Sequence, residues 1–258
     1  LMIPERLEEL LYVLDSAAWQ TFRKAAESSE PVKLNLTESR WYQILHGLCY
    51  LHFITGNRSL SCSVPPEIRT VYDSLVTDGL IQRKKHYDQL HLYAEAAANL
   101  YGVISQDDFV ALFNSQNEDK TSKEELFDAL IRHIVVDAGY CFWDKYIVDI
   151  GFEDNSFADV SDLLAQIGDK PRYIPEKKEF LKYADWRYFE HNEHSRNLGD
   201  YLIHACGVAP LLVPKIVTEL HESCMLSESF QNRFDLLAEH GIEFDGDQLN
   251  EFIRLLSA

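Results

Sequence analysis

At two places in this chain, the spacing of the apolar residues changes from the period of a helix to the period of a strand. Each change follows a stretch with apolar residues every three or four positions and leads into two short apolar runs around a polar turn. Paired runs of this kind predict a β-hairpin. The predicted hairpins cover Cys49 to Val64 and Tyr140 to Ile150. The chain is therefore expected to fold as helices with two small hairpins among them.

The remaining segments have the apolar spacing of helices. We predict one amphipathic helix from Pro4 to about Glu27 and a long helix from about Lys84 to Tyr101. Ser105 is the expected N-cap of the next helix, because an acidic residue follows it three positions later. The predicted fold class is mainly α, a helical protein with two small β-hairpins in winged-helix-like units.

The second of these units has the clearer order of elements. Over residues 87–151, three helices precede the hairpin, which is the order of a winged helix-turn-helix. The second helix of the pair, Ser122 to Ile134, would then enter the major groove of DNA. Its exposed face carries more acid than base, namely Lys123, Glu124, Glu125, Asp128, Arg132 and His133. Such a face is poorly suited to reading the major groove of DNA, and it favours a role of this unit as a scaffold or in protein binding.

Turn signals divide the chain into three predicted parts. They are an N-terminal helical, winged-helix-like unit at 1–80, a second such unit at 81–151 and a C-terminal helical region at 152–258. A chain of 258 residues also fits one compact domain, and the sequence leaves both arrangements open.

The charge of the chain limits its partners. Its 42 acidic and 24 basic residues give a formal net charge of -18. Binding to nucleic acid depends on neutralising phosphates with Lys and Arg, so the composition disfavours a general affinity for polyanions. We therefore expect a protein partner first, and nucleic acid second.

Five cysteines lie in apolar contexts, and no Cys-x-x-Cys pair occurs among them. This pattern is typical of reduced, packed thiols in a cytoplasmic protein, and it does not favour a catalytic thiol. No stretch has the roughly 18 apolar residues of a membrane span. The acidic N-terminal segment does not resemble a secretory signal. We predict a cytoplasmic location and no membrane partner.

Aromatic and basic residues concentrate between Tyr173 and Phe189. Such a stretch is a candidate for stacking on bases or for a protein hot spot. The candidate binding residues are Lys177, Lys178, Lys182, Trp186 and Arg187. Helical spacing supports an alternative, in which Phe180, Tyr183 and Ala184 share a face that belongs to the core.

The densest titratable segment is Glu190-His191-Asn192-Glu193-His194. Two histidines at this spacing can lie on adjacent turns of a helix and bind zinc. However, the segment lacks the His-Glu-x-x-His order of a zinc protease helix. We predict a polar surface here, with no metal, no cofactor and no catalytic residue. A metal-dependent enzyme that uses His191 and His194 is the weakest of our hypotheses.

Several segments of the chain carry a resemblance to known proteins. They are Leu100 to Ser105, Phe109, Phe113-Asn114, Lys170 to Asp185 and Val64 to Ile68. Together they resemble a group of uncharacterised bacterial proteins of Gram-positive type, some of which end in a small cysteine-rich metal-binding module of the SEC-C kind. This chain has no counterpart of that module. The resemblance implies a shared fold and assigns no activity.

These observations predict a non-enzymatic, cytoplasmic interaction or regulatory module that binds a macromolecular partner, with a protein as the first choice. The alternative is a winged-helix regulator that binds nucleic acid through its few cations, and such binding would weaken steeply with salt. The sequence makes no prediction about the oligomeric state.

Overall fold

The structure is a computed structural model that describes residues 4–56, 59–136, 138–168, 170–190, 192–225 and 230–256. The chain divides into two compact units, Leu1–Ala184 and Asp185–Ala258. Both are built mainly from helices, and two small antiparallel sheets lie in the first unit. The predicted fold class, mainly α with small β units, is confirmed. The predicted division into 1–80, 81–151 and 152–258 stays a prediction.

The first unit begins with four helices and a three-stranded sheet. Its elements are α1 (Pro4–Val13), α2 (Ser16–Glu27), β1 (Val32–Leu34), α3 (Trp41–Gly47), β2 (His52–Thr55), β3 (Leu60–Ser63) and α4 (Pro66–Leu75). The strands pair antiparallel in the order β1-β3-β2, with Phe53 opposite Cys62. The predicted first hairpin is therefore present, but it begins at His52. Asn57 and Arg58 of its turn lie outside the described residues.

The second part of this unit also has a single strand followed by a hairpin, but two helices rather than one lie between them. It consists of α5 (Asp78–Tyr101), β4 (Val103–Ser105), α6 (Gln106–Gln116), α7 (Lys123–Val136), β5 (Tyr140–Trp143) and β6 (Tyr146–Asp149). The strands pair antiparallel in the order β4-β6-β5. Each predicted hairpin thus gains a third strand. These extra strands have three residues each, which is too short for an alternating pattern to identify them.

The predicted helix from Pro4 to Glu27 is wrong, because the structure has two helices there. The chain leaves the helical conformation at Asp15, whose extended backbone is that of an N-cap. The Asp15 carboxylate accepts a hydrogen bond from the backbone N–H of Ala18 at 2.8 Å. This bond satisfies a donor that the first turn of α2 leaves without a helical partner. The predicted cap of α6 is confirmed, since Ser105 accepts from the N–H of Asp108 at 3.0 Å.

Helix α5 lies at the centre of the first unit, in contact with α1, α6, α7 and the second sheet. Four of its alanines are almost fully buried: Ala94, Ala96, Ala97 and Ala98. Small side chains let neighbouring elements approach the helix backbone closely, and the burial of Leu90 and Tyr93 on the same helix fills the surrounding core. A second cluster, around Phe22, Tyr42 and Tyr72, packs under the first sheet.

After β6 the first unit ends with a 3₁₀ turn (Ile150–Asn155), α8 (Ala158–Ile167), the single-turn helix α9 (Lys177–Phe180) and a 3₁₀ turn (Leu181–Ala184). The second unit consists of α10 (Glu193–His204), α11 (Val213–Met225), α12 (Phe230–Glu239) and α13 (Gly246–Leu256). Its core contains Leu202, Ile216, Leu220, Leu237 and Phe252, all fully buried. The strongly amphipathic sequence of α13 explains why its apolar face is covered.

The expected packing of the cysteines is correct for only part of the set. Cys62 and Cys141 are buried, and burial raises the pKa of each thiol to about 11. Cys206 and Cys224 are partly buried. Cys49 is exposed, because it lies in the turn after α3, where its φ is 62°. Over the described residues, we find no helix whose length and apolar content would let it cross a membrane.

Candidate functional site

An open groove lies in the first unit where α1 and α7 meet the turn that follows α3. Its volume is about 680 Å³. Helix α1 contributes Arg6, Glu9, Leu10 and Val13, which are spaced at i, i+3, i+4 and i+7 and therefore share one face of the helix. Helix α7 contributes Ile131, Arg132, Val135 and Val136, and Leu48 and Tyr50 complete the wall. Most of the lining is therefore apolar. We call this feature the α1/α7 groove.

Three of the apolar residues that line the α1/α7 groove are exposed to solvent. Val135 is 78% exposed and Leu48 is 52% exposed. Val136, at 37%, is next to Val135 on the last turn of α7. Single exposed apolar residues are common, but a contiguous group of them in a concave surface is characteristic of a binding site.

The rim of the groove is charged and held in place. Arg132 of α7 donates hydrogen bonds from Nε and Nη2 to the two carboxylate oxygens of Glu9 on α1. Its guanidinium also lies over the ring of Tyr12 at 5.8 Å and over the ring of Tyr87 at 5.7 Å. The bond to Glu9 is the main reason why the pKa of Arg132 is raised. This pair fixes the spacing of α1 and α7 along the groove.

A smaller polar cavity of about 180 Å³ adjoins the α1/α7 groove and shares Val13 and Val136 with it. Its wall contains Asp15, Arg40, Trp41, Asp88 and two histidines. Asp15 also accepts a hydrogen bond from Ser39, so this one carboxylate both caps α2 and orders the segment before α3. The polar cavity thus lies at the meeting point of α1, α3, α5 and α7.

The two histidines of the polar cavity stack on each other. The rings of His91 on α5 and His133 on α7 lie parallel within 3°, with their centroids 3.8 Å apart. Burial lowers the pKa of His91 to about 4 and the pKa of His133 to about 3, and the nearby Lys84 adds to both shifts. Both imidazoles are therefore neutral at neutral pH. One nitrogen of His91 lies 2.9 Å from the hydroxyl of Tyr140.

A buried lysine joins this region to the end of α1. The side chain of Lys84 is almost fully buried, and its ammonium donates to the carbonyl oxygen of Leu14 at 2.7 Å and to the carboxylate of Asp88 at 2.8 Å. A longer bond of 3.4 Å reaches the carbonyl of Tyr12. Burial lowers the pKa of Lys84, while Asp88 opposes that shift. A buried cation is tolerated only with such partners.

The predicted binding residues lie in different units. Lys177, Lys178 and Lys182 are exposed at the end of the first unit, whereas Trp186 and Arg187 are exposed in the second. Lys177 donates to the side-chain oxygen of Asn117 at 2.5 Å, and Lys182 pairs with Glu179 at 2.6 Å.

The contacts of Arg187 lie within the second unit. It pairs with Glu222 at 3.8 Å, and its guanidinium lies over the Trp186 ring at 5.0 Å. In the alternative, Phe180, Tyr183 and Ala184 share a core face that could extend to Arg187. Phe180 is fully buried and Tyr183 and Ala184 pack against the same core, whereas Arg187 is exposed. The five candidates therefore remain a predicted site whose two halves belong to separate compact units.

The predicted reading helix is α7, and its cations are already engaged. Lys123 pairs with Asp107 at 2.6 Å, and Arg132 pairs with Glu9. Glu124 and Asp128 are exposed, as is Phe127 at 49%. The outward surface of this helix is therefore acidic and apolar.

His191 of the proposed metal pair lies outside the described residues, and His194 is exposed on α10. Within the described part of the chain, no group of three or more His, Cys, Asp or Glu side chains is placed to hold a metal ion. The hypothesis of a metal-dependent enzyme therefore has no support from the described residues.

The α1/α7 groove was not predicted from the sequence. Its residues come from positions 6–13, 48–50 and 131–136, and each segment alone has the pattern of an ordinary core-facing element. One local signal exists, since the apolar run at the end of α7 extends over Ile134, Val135 and Val136 and exceeds what one helix face can bury.

Comparison with known proteins adds no assignment to this geometry. None of the protein-family models, curated proteins or solved structures compared with this chain matches it. A function must therefore be argued from the site itself.

Proposed function

We propose that the chain is a protein-binding module and that the α1/α7 groove receives an amphipathic helix of the partner, with basic residues beside its apolar stripe. The observation that carries the proposal is the exposure of Val135 and Leu48 within a concave, mainly apolar surface. Burying such a surface against a partner is the main favourable contribution in protein association.

The shape of the groove supports a helix as the occupant. Helices α1 and α7 contact each other, so the channel between them has a ridge of side chains on either side. A third helix can pack its apolar ridge into such a channel, with anchors at i, i+3, i+4 and i+7. The bond between Arg132 and Glu9 keeps this channel formed before the partner arrives, which reduces the entropic cost of binding.

The charge around the groove supports a basic partner. Together, α1 and α7 contain six acidic and three basic residues. Two of the bases, Arg132 and Lys123, are paired with carboxylates. Complementary charge accelerates association and excludes partners of the wrong sign. The lining itself contains Arg6, Glu9 and Arg132, so the acidic excess lies on the parts of α1 and α7 beyond the groove. This surrounding charge, together with the net charge of -18, favours a helix that carries Lys or Arg.

The connectivity of residues 78–149 supports the winged-helix assignment. Strand β4 comes before the helix pair α6 and α7, the hairpin β5-β6 comes after it, and the three strands pair in one small sheet. In a winged helix that reads DNA, the second helix of the pair needs free Arg and Lys. Here that helix is α7, which has paired cations and exposed acids. These features favour a protein partner over nucleic acid.

The proposal can be tested with designed helical peptides and the full chain. One peptide carries Leu at i, i+3, i+4 and i+7 with Lys elsewhere, a second has Glu in place of Lys, and a third has the Lys composition in scrambled order. Fluorescence anisotropy should show binding of the first peptide and at least about tenfold weaker binding of the other two. Equal binding of the Lys and Glu peptides would contradict the charge argument.

Substitutions test whether the Lys peptide binds in the α1/α7 groove. Val135→Asp should weaken binding of the Lys peptide by at least about tenfold, because it places a charge at the position of the most exposed apolar residue of the groove. Leu92→Asp is the matched control, since Leu92 is an exposed apolar residue of α5 outside the groove lining. Equal effects of both substitutions would reject the groove. Sedimentation that shows a dimer, lost in Val135→Asp, would identify a second copy as the occupant and overturn the proposal.

A further inference from the structure

A second cavity in the first unit lies between α6 and the segment that links α8 to α9. Its volume is about 520 Å³, which is within the range of small-molecule sites. It is separate from the α1/α7 groove, since no residue lines both. One wall belongs to α6 and the end of α5, and the other wall is lined by five residues that follow or end α8, namely Ile167, Gly168, Lys170, Arg172 and Ile174. Part of this segment belongs to the longest stretch on which the family resemblance rests.

Side chains of α5 and α6 fix the outer wall of this cavity. The hydroxyl of Tyr101 donates to the carbonyl of Tyr173 at 2.7 Å, and the amide of Gln116 donates to the carbonyl of Pro175 at 2.9 Å. Arg172 reaches back from the wall and donates from Nη1 to the carbonyl of Val103 at 3.0 Å. The segment is therefore held against the helices, and the cavity is formed without a ligand.

The polar groups of the cavity have opposite charges. The guanidinium of Arg172 lies over the Tyr101 ring at 5.1 Å, and its Nε is 3.9 Å from a carboxylate oxygen of Asp108. Lys170 adds a second cation and Ser115 a hydroxyl. The distance between Arg172 and Asp108 is too long for a good hydrogen bond, so both groups keep capacity for another partner. The remaining lining is apolar and includes Ile104, Leu112 and Ile174.

We propose that this cavity binds a free α-amino acid with an apolar side chain. Its carboxylate is bound by Arg172 and Lys170, its ammonium by Asp108, and its side chain packs against Ile104 and Leu112. A zwitterion satisfies both signs of charge at once, whereas a simple anion would meet Asp108 and the net charge of -18. A simple cation would meet Arg172 and Lys170. The cavity thus selects against ligands with only one of the two charges.

The experiment titrates the full chain by calorimetry with three compounds that have the same apolar group. They are L-leucine, 4-methylpentanoate, which lacks the ammonium, and 3-methylbutylamine, which lacks the carboxylate. We expect leucine to bind and both analogues to bind at least about tenfold more weakly. An absence of leucine binding at millimolar concentrations, or equal binding of 4-methylpentanoate, would overturn the proposal.

Two substitutions test the roles of the charges. Arg172→Gln should weaken leucine binding by at least about tenfold. Asp108→Asn should weaken leucine binding to the same extent, while the affinity for 4-methylpentanoate stays unchanged or increases. Asp108 is 59% exposed, so its substitution keeps the test decisive even where Arg172→Gln perturbs the fold. Lys24→Gln is the matched control, since it removes an exposed cation of α2 that does not line the cavity. Unchanged leucine binding in Asp108→Asn would overturn the zwitterion assignment.

Discussion

At the scale of single residues, two histidines stack on each other in the polar cavity that adjoins the α1/α7 groove. The neutral rings of His91 and His133 stack at 3.8 Å, and burial lowers the pKa of both, with a smaller contribution from the nearby Lys84. A proton on either ring would place a cation against a second imidazole in a buried position. The sequence gives no sign of this pair, because the residues are separated by 42 positions (133 − 91) and belong to different helices.

We predict that this pair makes the chain less stable as the pH falls. In the unfolded chain each histidine has a pKa near 6.5, whereas in the fold the values are about 4 and about 3. The unfolded state therefore takes up protons first, and the free energy of unfolding decreases as the pH falls below about 6.5. The expected loss between about pH 7 and about pH 5 is on the order of 2–4 kcal/mol for the pair.

Urea unfolding at both pH values measures this loss, and the double substitution His91→Gln, His133→Gln should remove most of it. Asp88 contributes with the opposite sign, since burial raises the pKa of its carboxyl in the fold. The comparison with the double variant isolates the histidines from that effect. A double variant with the full pH dependence of the parent would contradict the role of the pair.

At the scale of the elements, local sequence signals explained much of the fold. The capping residue Ser105, the second hairpin and the α7 start after Ser122 could all be predicted, because each depends on neighbours within a few positions. The break between α1 and α2 was missed because the apolar period continues through Leu14. Asp15 is a local capping signal that could have marked the break, whereas its bond to Ser39 and the bonds of Lys84 to the end of α1 join residues far apart in the sequence.

We predict that Asp15→Ala destabilises the chain by about 1–2 kcal/mol, since it removes an N-cap and a side-chain hydrogen bond together. Urea unfolding measures the change. Asp128→Ala is the matched control, because Asp128 is an exposed acid within α7, and its effect should stay within about 0.5 kcal/mol. A cost for Asp15→Ala no greater than that of the control would show that the cap does not define the junction.

At the scale of the whole molecule, the sites could not be predicted because they combine distant segments. The α1/α7 groove joins residues near 10, 50 and 135, and the second cavity, for which we propose an amino-acid ligand, joins α6 to residues near 170. The sequence instead drew attention to Lys177, Lys178, Lys182, Trp186 and Arg187, which are neighbours along the chain but are divided between two compact units. The acidic excess of the composition is present on α1 and α7, and the protein partner that it predicts stays a prediction.

The most direct test of the account is hydrogen exchange of the full chain with and without the Lys helical peptide. We predict slower exchange in α1 and in the last turns of α7, because the bound helix covers both walls of the groove. Exchange elsewhere, including α10 to α13, should be unchanged. Peptide binding without protection in α1 and α7, or with protection only in the second unit, would contradict the proposal that the α1/α7 groove is the docking site.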